Sequence, residues 1–286
     1  MESVRTLSDC LRQHWKRPVL IGVAVVVIAS VGGALYFSQG FHGTTDSIED
    51  VRANENVSVG QAHGGHVLTP TGTSSERAVI FYPGARVEPD AYLATFAPVV
   101  ERSGVTVYIP DMPLNVGVLG VGTAGEIQAE NDAVEHWYVG GHSLGGVAAC
   151  RYAANSPGAV DGLVLFASYC DVDLSPQSLA VLSVTGSRDT VLDREAYAGG
   201  RNRLPADAQF HEIDGVNHSQ FGSYRGQRGD SLGSVGDDEA HDRIAAVVVD
   251  WLANETDRRP PAGDYSSASS RNRDHLLPCG CAERTA

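Results

Sequence analysis

Short apolar segments alternate with amphipathic ones through the middle of the chain. Five of the apolar segments are rich in β-branched residues and have the length of buried strands: RAVIFYP, VTVYIP, HWYVGG, GLVLFAS and LAVLSVTG. Helical spacing separates several of them, as in residues 92–100 and again in residues 244–252, where apolar positions recur three and four apart. Strands that alternate with helices are typical of a parallel sheet covered on both faces. We therefore predict an α/β fold with a mostly parallel, twisted sheet.

The N-terminal segment has a different pattern, because residues 19–37 contain no charge. At 1.5 Å per residue they form about 28 Å of helix, enough to cross the hydrocarbon core of a bilayer. Basic residues precede this run and acidic residues follow it, so the positive-inside rule leaves the N-terminus in the cytoplasm and the body outside. We predict an uncleaved signal-anchor at residues 18–38. The alternatives are a signal peptide that is cleaved to release a secreted protein, and a buried core helix.

These patterns divide the chain into five regions. They are a cytoplasmic N-terminus at 1–17, the transmembrane anchor at 18–38, a linker at 39–57, the α/β domain at 58–254 and a disordered tail at 255–286. Proline, serine and charge in the tail argue against packing. Cys279 and Cys281 in the tail form a weak metal signal, and the five cysteines lack the even, close spacing of a disulfide framework. We expect no metal and no organic cofactor.

The formal net charge is −14, which disfavours nucleic acid and anionic lipid as partners of the main body because both are polyanions. Lys16 is the only lysine, so arginine supplies nearly all of the positive charge. An acidic, lysine-poor composition resembles that of proteins from salt-loving organisms, in which salt screens the repulsion between surface carboxylates. A GC-rich genome, which also replaces lysine by arginine, is the alternative explanation.

One serine lies where an apolar strand gives way to a helix. The pentapeptide at residues 141–145, GHSLG, has the pattern G-x-S-x-G, and a predicted strand precedes it while a predicted helix follows. Glycines two residues either side of Ser143 allow strand and helix to approach closely at a sharp turn. Such a turn exposes the serine hydroxyl above the sheet. Ser143 is therefore the candidate nucleophile.

A serine nucleophile requires a base, and the base requires an orienting carboxylate. Asp189 follows the strand LAVLSVTG, and His218 follows the segment AQFHEIDG. Both lie after strands, at the edge of the sheet where sites of α/β proteins form. We predict a triad of Ser143, His218 and Asp189. Asp171 and Asp173, which follow the preceding strand, are the alternative acids.

Two backbone amides are candidates for an oxyanion hole. One belongs to Leu144, which follows the nucleophile, and the other to Ala85, in the loop after the strand AVIFY. Arg86, Met112, Asn115 and His142 are predicted to line the substrate site. Only about ten residues separate GLVLFAS from the next strand, so we expect little or no lid over an open, shallow site.

Four motifs carry a resemblance to a known family: FYPGARVEPDAY, IPDMPLN, GGHSLGG and NHSQFGSY. On these motifs, residues 58–254 resemble the alpha/beta-hydrolase superfamily, specifically its small dienelactone-hydrolase-like group (alpha/beta-hydrolase fold-5), several members of which carry an N-terminal membrane anchor. The resemblance implies the Ser143, Asp189, His218 triad and a hydrolase activity. Dienelactone hydrolases use a cysteine nucleophile, whereas this chain has Ser143, so that particular activity is not implied.

These residues together predict hydrolysis of an acyl ester-type bond through an acyl-enzyme. The substrate would be a small acyl compound such as a carboxylic ester, a thioester or a lactone. An acyltransferase that uses the same triad is one alternative. A non-catalytic cell-surface protein that retains the fold is another.

Overall fold

The computed structural model describes residues 3–258, and the side chains of residues 19–33 and 35–255. The strands are β1 Val57–Ala62, β2 Gly65–Pro70, β3 Arg77–Tyr82, β4 Thr106–Ile109, β5 His136–His142, β6 Gly162–Phe166, β7 Ala180–Gly186 and β8 Gln209–Ile213. The helices are α1 Ser3–Ser38, α2 Thr45–Ala53, α3 Leu93–Ser103, α4 Thr123–Ala129, α5 Leu144–Asn155, α6 Arg194–Gly200 and α7 Asp237–Arg258.

The strands form an eight-stranded sheet in the order β1-β2-β4-β3-β5-β6-β7-β8. Six strands are parallel to one another, in the sheet order β4, β3, β5, β6, β7 and β8. Strands β1 and β2 form a hairpin that adds to the β4 edge in antiparallel orientation. The hairpin turns through His63 and Gly64, which both have positive φ, as a two-residue hairpin loop requires. This architecture confirms the predicted mostly parallel sheet, to which the hairpin is an addition.

Hydrophobic cores lie on both faces of the sheet. Alternate residues of β3 point to opposite faces, so Val79 and Phe81 join one core while Ala78 and Ile80 join the other. Helices α2, α3 and α7 cover the first core, and α4 and α5 cover the second. The apolar positions that predicted the helices at residues 92–100 and 244–252 are the ones that face the first core.

Helix α1 stands apart from these cores. Its segment Val19–Ser38 is long and apolar enough to cross a membrane or to be a signal sequence, and its large apolar side chains are exposed. The following segment, residues 39–57, predicted as a linker, is packed against the domain. It contains α2, whose Val51 is buried in the core. Phe41 also pairs with Val87 in a parallel β-bridge.

The connection between β6 and β7, residues 167–179, contains no helix or strand, so the fold has a minimal lid. A disulfide between Cys150 of α5 and Cys170 of this connection ties it to the second core. We did not predict this bond, because the two cysteines are 20 positions apart and belong to different elements. Packing of α5 beside β6 brings them together.

Candidate active site

Ser143 occupies the turn between β5 and α5. Its φ of 52° and ψ of −124° are strained for an L-residue. Glycines permit the turn, because a Cβ on Gly141 would lie 2.3 Å from the carbonyl carbon of Gly145, and one on Gly145 would lie 2.1 Å from Tyr82 O. The Ser143 N–H donates a hydrogen bond to Phe166 O at 3.0 Å. These contacts fix Ser143 at the carboxyl edge of the sheet.

The structure brings Asp189 and His218 together. Asp189 Oδ2 lies 2.9 Å from His218 Nδ1, and the two side chains are 0% and 1% exposed. Asp189 Oδ1 accepts hydrogen bonds from the amides of Val191 and Leu192, each at 2.9 Å. Burial alone would raise the pKa of the Asp189 carboxyl. The hydrogen bond and charge of His218, together with the two amides, outweigh burial and hold that pKa below its ordinary value.

The proton positions of His218 follow from this contact. An ionised carboxylate only accepts hydrogen bonds, so Nδ1 carries a proton, and in the neutral ring Nε2 presents a lone pair. His218 Nε2 is buried and has no hydrogen-bond partner among the described residues. Ser143 Oγ is therefore not hydrogen-bonded to it in this structure. Contacts between a catalytic base and its nucleophile are often long in an unliganded enzyme and tighten around the substrate.

Asp230 holds the backbone of the His218 loop. Its carboxylate accepts from the N–H of His218 at 3.3 Å, from the N–H of Ser219 at 2.9 Å and from the hydroxyl of Ser219 at 2.7 Å. Sequence reasoning missed Asp230, because an aspartate in a glycine-rich loop, twelve positions after His218, has no pattern that separates it from its neighbours.

His142 is fully buried, and its ring centroid lies 4.4 Å from that of His218. The Tyr92 hydroxyl accepts from Gly84 N–H at 2.8 Å and shares a hydrogen bond of 2.9 Å with His142 Nδ1. His142 Nε2 has no hydrogen-bond partner of good geometry among the described residues. Burial, followed by the positive charge that His218 carries when it is protonated, holds the pKa of His142 well below its ordinary value, so this ring is neutral.

The two predicted oxyanion-hole amides lie at the carboxyl edge of the sheet. Leu144 is the first residue of α5, where a helix leaves its N–H groups without an intrahelical acceptor and carries partial positive charge. Ala85 lies in the turn after β3, and the next amide, that of Arg86, donates to Asn115 O at 2.8 Å. Neither the Leu144 nor the Ala85 amide donates to another described residue.

A cavity of about 190 Å³ opens beside Ser143. It is lined by Ser143, Leu144, Val147, Ala167, Ser168, Tyr169, Val191, Leu192 and Asp193. A larger and more polar cavity of about 490 Å³ lies behind the His218 loop, between residues 217 and 237, and Ser143 does not line it. The smaller cavity is the one positioned to receive a group bonded to Ser143.

The predicted substrate-lining residues lie elsewhere. Met112 is buried in the second core. Asn115 Nδ2 donates to Glu88 Oε1 at 2.9 Å and to Phe37 O at 3.3 Å. The Arg86 guanidinium donates to Gln39 O, just after α1, and the buried His142 ring lies beside that of His218. None of the four lines the cavity beside Ser143. Met112 and His142 are packed in the interior, and Arg86 and Asn115 are hydrogen-bonded to residues 37–39.

The alternative acids have other partners. Asp171 pairs with Arg151, whose Nη2 lies 2.6 Å from Asp171 Oδ2. Asp173 Oδ1 accepts hydrogen bonds from both the amide and the hydroxyl of Ser175. Asp189 is thus the carboxylate that contacts the His218 imidazole.

Metal-ligating side chains are not clustered in the described part of the chain, where no group of three or more histidine, cysteine, aspartate or glutamate side chains could hold an ion. His63 lies 3.3 Å from Glu130, and His66 contacts Gln61 at 2.9 Å. Cys279 and Cys281 lie outside the described residues.

Known proteins resemble this chain in sequence and in fold. Among solved structures, a predicted CIB-like hydrolase from Thermoplasma acidophilum is 16% identical, with a TM-score of 0.51 over 69% of this chain and 97% of that one. Est1E from Butyrivibrio proteoclasticus is 11% identical, with a TM-score of 0.49 over 70% of this chain and 100% of that one. No curated protein matches in sequence. Residues 78–242, more than half of the chain, match the model of the Alpha/beta hydrolase family. The chain belongs to the alpha/beta hydrolase family.

Proposed function

We propose that the protein is a serine hydrolase of acyl ester-type bonds: carboxylic esters, thioesters or lactones. The observation that carries this proposal is the buried Asp189–His218 hydrogen bond, which leaves a lone pair on His218 Nε2 at the carboxyl edge where Ser143 is held. A strained serine and a histidine oriented by a buried carboxylate are the parts that acyl transfer requires.

The reaction begins when the Ser143 hydroxyl attacks the acyl carbonyl and its proton passes to His218 Nε2. The carbonyl oxygen becomes an oxyanion that the amides of Leu144 and Ala85 stabilise. His218 then protonates the leaving group, and the acyl group remains on Ser143. A water molecule, deprotonated by His218, releases the acid. Throughout, Asp189 stabilises the imidazolium without becoming protonated, as its lowered pKa favours.

The cavity beside Ser143 supports a small acyl group. Its volume of about 190 Å³ is below the range of roughly 300–1,000 Å³ that encloses drug-sized ligands. Apolar side chains of Val147, Val191 and Leu192 contribute to its walls. A short acyl chain in this cavity, with the leaving group toward solvent, suits the minimal lid. The dienelactone-hydrolase-like subgroup remains the proposed branch of the family.

The proposed location is the cell membrane, with a single pass and the hydrolase domain on the outer side. The uncharged segment at 19–37 and the basic residues before it support an anchor. The Cys150–Cys170 disulfide supports an oxidising compartment independently of that pattern, because disulfides are rare where cytosolic reductants act. The lipid bilayer is the proposed partner, and nucleic acid is not.

The test uses a fluorophosphonate probe on the full chain in detergent, with the adduct located by mass spectrometry. We expect labelling at Ser143 that is lost in Ser143→Ala and His218→Ala. Ser178→Ala and His211→Ala change an exposed serine and an exposed histidine, so both should label like the parent. Folded protein that is not labelled contradicts the hydrolase and favours a non-catalytic protein. If ester turnover with added alcohol gives a new ester instead of acid, the enzyme is an acyltransferase.

A further inference from the structure

The segment that follows α1 binds directly to the loop of the predicted oxyanion hole. The Arg86 guanidinium donates to Gln39 O from Nη2 at 3.0 Å, and it stacks 3.9 Å from the ring centroid of Tyr36. Phe41 N–H donates to Arg86 O at 2.5 Å, and Glu88 N–H donates to Phe41 O at 2.9 Å. Residues 36–41 therefore lie against the turn that contains Ala85.

The same segment also contacts the loop that follows His218. Thr44 N–H donates to Ser223 O at 2.8 Å, and the Phe41 ring stacks on Tyr224 with centroids 5.6 Å apart. His42 and Gly43 contact Asp90 at 2.8 and 2.9 Å. The chain thus leaves α1 at the carboxyl edge of the sheet, where the loops of the proposed site lie.

Exposed apolar residues are scarce beyond α1. Of the described large hydrophobic residues after Ser38, only Leu114, Leu119 and Leu232 are exposed, at 47%, 59% and 84%. Leu114 and Leu119 belong to the loop after β4, which contacts the end of α1 through Asn115 and Phe37. In the same loop, a Cβ on Gly117 would lie 3.4 Å from Gly145 Cα, next to the nucleophile turn.

We infer that Leu114 and Leu119 rest in the bilayer surface beside α1, so that the active site opens toward the lipid headgroups and takes acyl esters that partition into them. The substrate half of this inference rests on the proposed hydrolase function. The bilayer contact does not.

The geometry of α1 supports this orientation. If residues 19–37 cross the bilayer, Tyr36 and Phe37 lie at its surface, where aromatic side chains are enriched. Arg86, stacked on Tyr36, then lies at the same level as the headgroups. Burial of exposed leucines in the acyl boundary stabilises such a contact in proportion to the apolar area removed from water. Because the net charge is −14, the contact depends on these apolar side chains and not on anionic lipid.

The bilayer contact is tested without enzyme activity. Leu114→Trp and Leu119→Trp are reconstituted as full chains in phosphatidylcholine vesicles with or without brominated acyl chains. We expect each new tryptophan to add a blue-shifted emission that brominated lipid quenches. Leu232→Trp is the matched control, since it is exposed but lies outside this loop, and its added emission should be unquenched. Unquenched emission at 114 and 119, or equal quenching at all three positions, contradicts the inference.

The substrate half is tested with two acetate esters, umbelliferyl acetate and its analogue with a long alkyl chain on the ring. Both present the same acyl group, and only the second partitions into vesicles. Leu114→Asp/Leu119→Asp should raise the apparent KM for the alkylated ester several-fold and leave hydrolysis of the soluble ester unchanged. An equal effect on both esters, or none, contradicts it. If neither ester is hydrolysed by the parent chain, the proposed function fails while the quenching result stands.

Discussion

At the scale of single residues, the contact between Asp189 and His218 decides whether the site is able to abstract a proton. The carboxylate fixes the tautomer of His218, because it accepts only from a protonated Nδ1. Asp189→Asn presents an amide that is able to donate to Nδ1, so Nε2 would carry the proton instead. We expect kcat on a soluble acetate ester to fall by roughly 10³–10⁴-fold with little change in KM.

A matched exchange separates this effect from a general loss of negative charge. Asp171→Asn breaks the ion pair with Arg151 at an exposed position. Neither residue hydrogen-bonds to the His218 imidazole, which contacts Asp189. Its kcat should stay within about twofold of the parent, since an exposed ion pair contributes little. If Asp171→Asn lowered kcat as much as Asp189→Asn does, the proposed acid would be wrong.

At the scale of elements, the junction of β5 and α5 has no room for side chains at its glycines. Gly141→Ala would place a Cβ 2.3 Å from backbone atoms of α5, which are unable to move aside as a flexible side chain does. We expect the free energy of unfolding to fall by about 1–3 kcal/mol or more, measured by urea titration. The fluorophosphonate label should fall with it.

The control for this prediction is Gly199→Ala. Gly199 lies in α6 with no atom within 4 Å of an added Cβ. Alanine there should raise the stability by about 0.5–1 kcal/mol, because glycine is unfavourable within a helix. A Gly141→Ala protein as stable as the parent would mean that the turn does not need its glycine.

The strands of the parallel sheet were predictable from local pattern, and so was the serine turn. A strand buried on both faces is a continuous apolar run in the sequence. The turn at 141–145 has no room for side chains beside Ser143, and this requirement shows in the sequence as two glycines within five residues. Asp189 was predictable because it follows such a strand, β7, whereas His218 follows the partly exposed edge strand β8 and was predictable from the chain order serine, acid, histidine. Asp230, Tyr92 and the docking of the segment after α1 were not, since each depends on contacts between elements far apart in sequence.

The disulfide is another feature that sequence reasoning missed, and it links the nucleophile helix to the connection after β6. Cys150→Ala/Cys170→Ala removes a cross-link that closes a loop of 20 positions. We expect unfolding to become easier by about 2–4 kcal/mol, since the unfolded chain regains freedom. Urea titration of the parent with and without reductant checks this, because reductant should lower the stability of the parent and leave the double variant unchanged.

At the scale of the whole molecule, the fold, the disulfide and the N-terminal helix are all consistent with a hydrolase domain held at a membrane surface. The carboxyl edge of the sheet carries the site, and the chain from α1 docks at that same edge. The proposed enzyme would therefore work at a membrane surface in an oxidising compartment. Its activity would depend on the segment 36–44 as well as on the hydrolase domain, because this segment contacts the loops on both sides of Ser143.

The net charge of −14 is a property of the whole molecule, and repulsion among surface carboxylates opposes the compact state. Salt shortens the screening length from about 10 Å at 0.1 M to about 3 Å at 1 M. We therefore expect the Tm of the full chain in nonionic detergent to rise by several degrees from 0.1 to 1 M NaCl, followed by scanning calorimetry.

A charge-reduced variant separates screening from a general effect of salt on apolar burial. The exchanges Glu49→Lys, Glu126→Lys, Glu135→Lys and Asp207→Lys change four exposed acids. Each replaces a negative by a positive charge, so the net charge moves from −14 to −6. Screening predicts that this variant has the higher Tm at 0.1 M NaCl and gains less from added salt. If parent and variant gain equally, the stabilisation by salt comes from apolar burial and the acidic surface is not an adaptation to salt.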